Sequence, residues 1–246
     1  MTLAIRGDQV SCLSLQLGPR TWLLAVARGF GFVEGVATEF ALLTRLRAEC
    51  ARRVRGARFR GAIDRPQAAA TAMLAVLARV NGDLYARTAS HDDYVTAAAS
   101  LTAVLVVHGR AYVMHAGATA AYLARDGDVI ALSGDDVFDE RQMPLLVRAL
   151  GAAPALDITI SSTQLAEGDA IVLLGRRVRG AEDRRALLGY VEANDPGEHV
   201  LVARFEHDDA AQRDAPRPPG LRSLCVTALT RVAAAIAFLI AAVSAH

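Results

Sequence analysis

The chain is expected to fold as an α+β protein with antiparallel sheets flanked by helices, and three observations predict it. Apolar runs of strand length are grouped apart from the helical segments, two long stretches of helical periodicity separate the first strands from the rest, and glycine-bearing turn signals punctuate the middle of the chain.

Residues 9–17 (QVSCLSLQL) alternate in strand fashion, and 21–27 (TWLLAVA) form a buried run bounded by Gly18-Pro19 and Gly29. Residues 33–52 place Val36, Phe40, Leu43 and Leu46 at helical spacing. A second helix is expected from Asp64, a capping residue, with Pro66 in its first turn, and it continues through 67–87. Turn signals at His108-Gly109-Arg110, His115-Ala116-Gly117 and Arg125-Asp126-Gly127-Asp128 divide residues 98–132 into four short strands of an antiparallel meander. Residues 140–150 read as helical up to Gly151. Strands then follow within 156–165, 168–175 and 198–206, with a helix near 182–193.

With 246 residues, 53% of them hydrophobic, the chain can bury a substantial core, which excludes a disordered protein. The 27 basic residues nearly cancel 26 acidic ones, so no global electrostatic pull toward nucleic acid is expected. Every basic residue is Arg, which fits a coding bias of a GC-rich genome. Cys12, Cys50 and Cys225 form neither a disulfide framework nor a zinc motif, consistent with a reducing compartment. No secretory h-region precedes Asp8, so no signal peptide is expected.

The expected organisation is a domain over 1–207, a Pro- and Arg-rich linker over 208–222 and a membrane anchor over 223–246. Leu224 to Ala245 is a predominantly apolar run interrupted by one charge, Arg231, and about 20 predominantly apolar residues span a bilayer. Arg231 lies in the N-terminal third of the run, where a guanidinium can reach the interface. Arg217 and Arg222 upstream favour a single-pass anchor with the domain on the cytoplasmic side. An amphipathic or core helix is the alternative.

The chemistry-bearing stretches resemble, in order, the motifs of the PP2C-type (PPM) serine/threonine protein phosphatases, over nearly all of residues 1–206. AVARGFGFVEGVA is similar to the family's VADGMGG turn, with Gly29 and Gly31 as turn glycines and Gly35 at the helix start. SLTAVLVV resembles the G-[ST]-T strand, with Ser100 in the glycine's place and Thr102 retained. MHAGATAAYLARDGDVIAL resembles the GDSR hairpin; Gly117, Ala121, Tyr122, Leu123 and Gly127 match, while Ala118, Thr119 and Ala120 replace Asp-Ser-Arg. LSGDD at 132–136, VRALG at 147–151 and GDAIVLLGRR at 168–177 are similar to three further motifs.

The resemblance implies an α-β-β-α sandwich and, in the family, a dinuclear Mn/Mg site held by carboxylates. Here Arg28 and Arg176 stand where the family supplies two aspartate ligands. A guanidinium is always protonated and has no lone pair to offer a metal. Two such exchanges add four units of positive charge to one cleft, which opposes two divalent cations. Asp8, with Gln9 beside it, is the loose counterpart of an N-terminal family segment, and Asp195 or Glu198 of the last ligand.

The expected cofactor is therefore none, with Mn or Mg required only by a divergent phosphatase that uses a noncanonical site. Two roles are open for Arg28 and Arg176. They either bind a phosphorylated side chain or other anion, with Arg177 or Arg179 contributing, or pair with Glu34, Asp195 or Glu198 or stand solvated. His108, His115 and His199 lack paired metal spacing, and Ser133 and Ser161-Ser162-Thr163 lack a nucleophile's partners. RDGDV at 125–129 is an ordinary hairpin turn rather than a calcium loop. The expected function is a membrane-tethered pseudophosphatase that binds a protein partner in signalling; a divergent metal-dependent phosphatase and an unrelated α+β scaffold are the alternatives.

Overall fold

The computed structural model describes residues 2–6, 11–88, 97–134, 136–140, 143–146, 148–178, 180–192 and 200–206. In chain order they form β1 (Thr2–Arg6), β2 (Cys12–Gly18), β3 (Thr21–Phe30), β4 (Phe32–Val33), β5 (Val36–Ala37), α1 (Thr38–Val54), α2 (Ala57–Ile63), α3 (Pro66–Thr88), β6 (Ala98–Val107), β7 (Arg110–Ala116), β8 (Ala120–Arg125), β9 (Asp128–Ala131), β10 (Val137–Glu140), β11 (Met143–Leu146), β12 (Thr159–Gln164), β13 (Ala170–Leu174), α4 (Gly180–Glu192) and β14 (Val200–Glu206). One five-stranded sheet has the order β12-β7-β6-β3-β2 and the other β1-β14-β13-β8-β9.

Why TWLLAVA is continuously apolar follows from the layering. Successive side chains of a strand point to opposite faces. Leu23, Ala25 and Ala27 join Leu42, Leu46, Met73 and Leu77 of α1 and α3 in one core, while Leu24 and Val26 join Ile171, Leu173, Leu201 and Phe205 of the facing sheet in a second. The β13 and β14 residues Val172, Leu174 and Val202 turn the other way, toward Leu187 of α4. Four layers result: helices, sheet, sheet, helix. Each fully buried leucine in them contributes about 1.5–3 kcal/mol.

Several sequence expectations are corrected. Residues 140–150 are not a helix: β10 and β11 pair antiparallel, with Asp139 opposite Pro144, and Leu150 exchanges two backbone hydrogen bonds with Ala99 of β6 at 2.8 and 3.0 Å. Pro144 removes a donor that a helix interior requires. The first helix begins at Thr38 rather than near 33, because Glu34 and Gly35, both at positive φ, turn the β4–β5 hairpin. Asp64 ends the unforeseen α2 instead of capping α3, which opens on Pro66. The four-strand meander is split between layers: β6 pairs with β7 and β8 with β9, but β7 and β8 lie in different sheets.

No helix among the described residues is long and apolar enough to cross a membrane. The linker at 208–222 and the apolar segment at 223–246 lie outside the described residues.

Candidate functional site

The inner-face row of β3 runs Leu24, Val26, Arg28, Phe30. The first two are buried between the sheets, and the next two are exposed where the strand leaves the sandwich. Arg28 stands opposite Ser100 of β6. It makes no ion pair or hydrogen bond among the described residues.

Glycine is required beside it. A Cβ at position 29 would lie 2.5 Å from Glu39 Oε2 and 2.7 Å from the Glu39 main-chain nitrogen, so only glycine lets the first turn of α1 approach. Gly31 adopts φ 73°, and the Thr38 hydroxyl lies 2.9 and 2.8 Å from the carbonyl oxygens of Phe30 and Gly31, closing the turn onto the helix.

Arg176 follows the end of β13. Its loop is held by the Val178 N–H donating to Tyr122 Oη at 2.8 Å and by Arg177 donating to the carbonyls of Ser133 and Gly134. Arg177 is thereby committed to that loop, and Arg179 lies outside the described residues. Arg28 and Arg176 line one cleft of about 250 Å³, together with Leu174, Gly175, Val178, Asp183, Ala186, Tyr190 and Val200. Arg176 donates through both terminal nitrogens to Asp183 of α4, at 3.1 and 3.2 Å. The Asp183 carboxylate holds the Arg176 guanidinium further above its ordinary pKa.

One partner considered from sequence is thereby ruled out, and one that was not considered takes its place. Glu34 pairs with Arg45 and Arg87 rather than with a cleft arginine, and Arg176 takes Asp183. Asp8, Gln9, Asp195, Glu198 and His199 lie outside the described residues.

Gly117 sits at φ 101°, and a Cβ there would come within 2.2 Å of Ser100 Oγ. Ser100 Oγ accepts the Ala118 N–H at 2.9 Å, and buried Asp136 accepts the Gly117 N–H at 3.0 Å. Around this turn runs a buried polar chain that sequence reading missed. Thr119 Oγ1 is 2.8 Å from Thr102 Oγ1, which is 2.9 Å from His115 Nδ1; His115 Nε2 lies 3.6 Å from Asp136, whose other oxygen takes Arg148 at 2.5 Å. Arg148 also reaches Asp157 at 3.4 Å. His115 is therefore a strand residue inside this network rather than a turn residue, while His108, exposed at φ 49°, does sit at the β6–β7 turn.

Two of the other candidate hydroxyls hold backbone groups: Ser133 Oγ accepts the Ala121 N–H at 3.1 Å and Ser161 donates to the Leu132 carbonyl at 2.8 Å. Asp126 and Gly127, at φ 52° and 79°, form the hairpin turn expected of RDGDV.

A four-layer sandwich with a cleft at one edge of the sandwich, where its central strands end, is the fold of the PP2C-type (PPM) serine/threonine phosphatases. Solved structures with it include PppA, a key regulatory component of T6SS in Pseudomonas aeruginosa (18% identity, 82% of this chain and 96% of that one, TM-score 0.60). The catalytic domain of PstP, a serine/threonine phosphatase of Mycobacterium tuberculosis, in complex with two manganese ions matches at 21% identity, over 84% of this chain and 98% of that one, with a TM-score of 0.57. A serine/threonine phosphatase of S. agalactiae matches at 16% identity, over 83% and 100%, with a TM-score of 0.59. No protein-family model matches the sequence, and no curated protein matches it.

The described cleft residues do not fit a dinuclear metal centre. Its lining supplies two guanidiniums, a phenol and one carboxylate, and that carboxylate is already bidentate to Arg176. Among the described residues no group of three or more His, Cys, Asp or Glu side chains is placed to hold a metal ion.

Proposed function

We propose that this chain is a membrane-tethered pseudophosphatase, a phosphatase-fold module that binds a phosphorylated segment of a protein partner in a signalling system without hydrolysing it. One observation carries the reading: Arg28 of β3 and Arg176 of the loop after β13 line the same cleft. Arg28 supplies a guanidinium with no carboxylate partner among the described residues, and Arg176 is held in place by Asp183. Guanidinium groups match phosphate oxygens bidentately, and an open cleft lets the anion enter with part of its hydration intact. Phe30, on the same face of β3 as Arg28, and Phe32 of the following hairpin are 51% and 70% exposed and offer apolar contact to residues flanking a phosphorylated side chain. The regulatory role named for PppA supports a regulatory reading here. The apolar run of 223–246 supports the tether.

Calorimetric titration with a phosphoserine peptide and its unphosphorylated twin tests the binding. The expected result is saturable binding of the phosphorylated form alone, lost in Arg28→Ala/Arg176→Ala. A manganese-dependent phosphomonoesterase activity abolished by chelator would instead establish the divergent phosphatase.

A further inference from the structure

Charge is distributed unevenly along this nearly neutral chain. Residues 45–65 hold eight arginines against Glu49 and Asp64, a net of plus six, so the rest of the chain is net minus five for a total of plus one. The structure places this stretch at the α1–α2 corner. Phe59 and Ile63 are buried, which seats α2 on the core, and Arg47, Arg55, Arg58, Arg60 and Arg65 are exposed. None of these five makes an ion pair with a described carboxylate; Glu49 takes Arg52 and Arg53, and Glu34 takes Arg45.

The C-terminal dipole of α1 accounts for Arg52 and Arg53 in its last turn and for Arg60, whose Nη1 donates to the Arg55 carbonyl at 3.0 Å. It does not account for Arg47 or Arg58, while Arg65 Nε donates to the Gly61 carbonyl in the last turn of α2 at 3.2 Å. The corner also lies at the far end of α1 from the Gly29 turn, about 25 Å of helix away, so a surface seated on it leaves the cleft open.

We infer that the α1–α2 corner is a docking face for an anionic phospholipid surface. This rests on the tether proposed above. The 15 residues of 208–222 reach at most about 50 Å, which keeps the corner at high effective concentration near the headgroups. Each arginine close to an anionic leaflet strengthens attachment by roughly fivefold, so a few unpaired ones orient a domain that is already held nearby. Docked in this way, the domain presents its cleft at a set height and direction to partners on the same membrane.

The test uses the full chain reconstituted in vesicles of phosphatidylcholine, with or without about one third phosphatidylglycerol. Flotation with the neutral vesicles after alkaline washing reads the tether alone, and its failure removes the tether without bearing on the corner's own affinity, which vesicle sedimentation of the unanchored chain then reads. Amide exchange over residues 45–65 reads the docking. The expected result is exchange slowed at least fivefold by phosphatidylglycerol, restored by high salt and unchanged at β12. In Arg55→Gln/Arg58→Gln/Arg60→Gln the lipid dependence should disappear while exchange in neutral vesicles matches the parent. Equal exchange in both compositions, protection that survives salt, or stronger attachment to a short DNA duplex than to anionic vesicles would overturn it.

Discussion

Arg176 and Asp183 form a two-point ion pair across the cleft, with nitrogen to oxygen distances of 3.1 and 3.2 Å. The pair both orients the guanidinium and offsets its charge, so the carboxylate competes with any incoming anion. Asp183→Asn removes that competition while preserving shape. Phosphopeptide affinity is expected to rise by about three- to tenfold at low ionic strength, with the gain shrinking in salt because the site is open to solvent. Isothermal titration at two salt concentrations checks it; unchanged affinity would place the anion elsewhere.

A second prediction concerns Gly117 and Ser100. Alanine at 117 must tolerate φ 101° and a contact of 2.2 Å with Ser100 Oγ, and Gly117→Ala is expected to cost about 3 kcal/mol. Ser100→Gly alone costs about 1 kcal/mol, since it removes the acceptor of the Ala118 N–H. In the double variant the clash with the serine side chain is gone, so its cost should fall below the sum of the two by at least 1 kcal/mol. Urea denaturation of the four proteins measures this coupling, and strict additivity would contradict the packing described.

How much of this was legible in the sequence differs by element. The buried strands and α3 were readable because their signals are local: unbroken apolar runs, Pro66 at a helix start, Gly127 in a hairpin turn. The pairing of Arg28 with Arg176 was readable only through motif order, since spacing alone does not bring residues 148 positions apart into one cleft. The hairpin at 137–146 was missed because its apolar residues also fit a helix, and the non-local bond pair between Leu150 and Ala99 has no local signature. The same holds for Asp183, whose partner is Arg176, and for Asp136, whose partners are His115 of β7, the Gly117 N–H just after it and Arg148. A carboxylate in LSGDD reads as solvated until the fold closes over it.

Asp169 gives a pH-dependent prediction. Burial raises its pKa, but the bidentate Arg125 guanidinium at 2.8 and 2.6 Å and the Ala166 N–H at 2.7 Å outweigh burial and hold it below the usual carboxylate value. A depressed folded-state pKa means the stabilisation is complete above the unfolded value, about 3.9, and disappears as pH falls through the folded one. Asp169→Asn should therefore lower the urea midpoint at pH 6, and the gap between parent and variant should close as the pH is taken below about 4. A gap that stays constant down to acid unfolding would show that the ion pair contributes through packing alone.

The last prediction isolates the buried Asp136–Arg148 pair. Asp136 is 2% exposed and accepts from both Arg148 and the Gly117 main chain, so Asp136→Ala leaves a guanidinium and an N–H without their acceptor at once. The expected loss is about 2–4 kcal/mol, at the lower end of what removing one partner of a buried ion pair costs because Arg148 is partly exposed and keeps Asp157. Arg148→Met should cost less, since the carboxylate it strands retains the Gly117 N–H. Once either partner is gone the other has less to lose, so the double variant should be more stable than the sum of the singles implies, by about 1–3 kcal/mol. Guanidinium denaturation of all four proteins decides it. Full additivity would mean that the two side chains stabilise the Gly117 turn independently, and a double variant worse than the sum would mean that Asp157 or His115 carries the network.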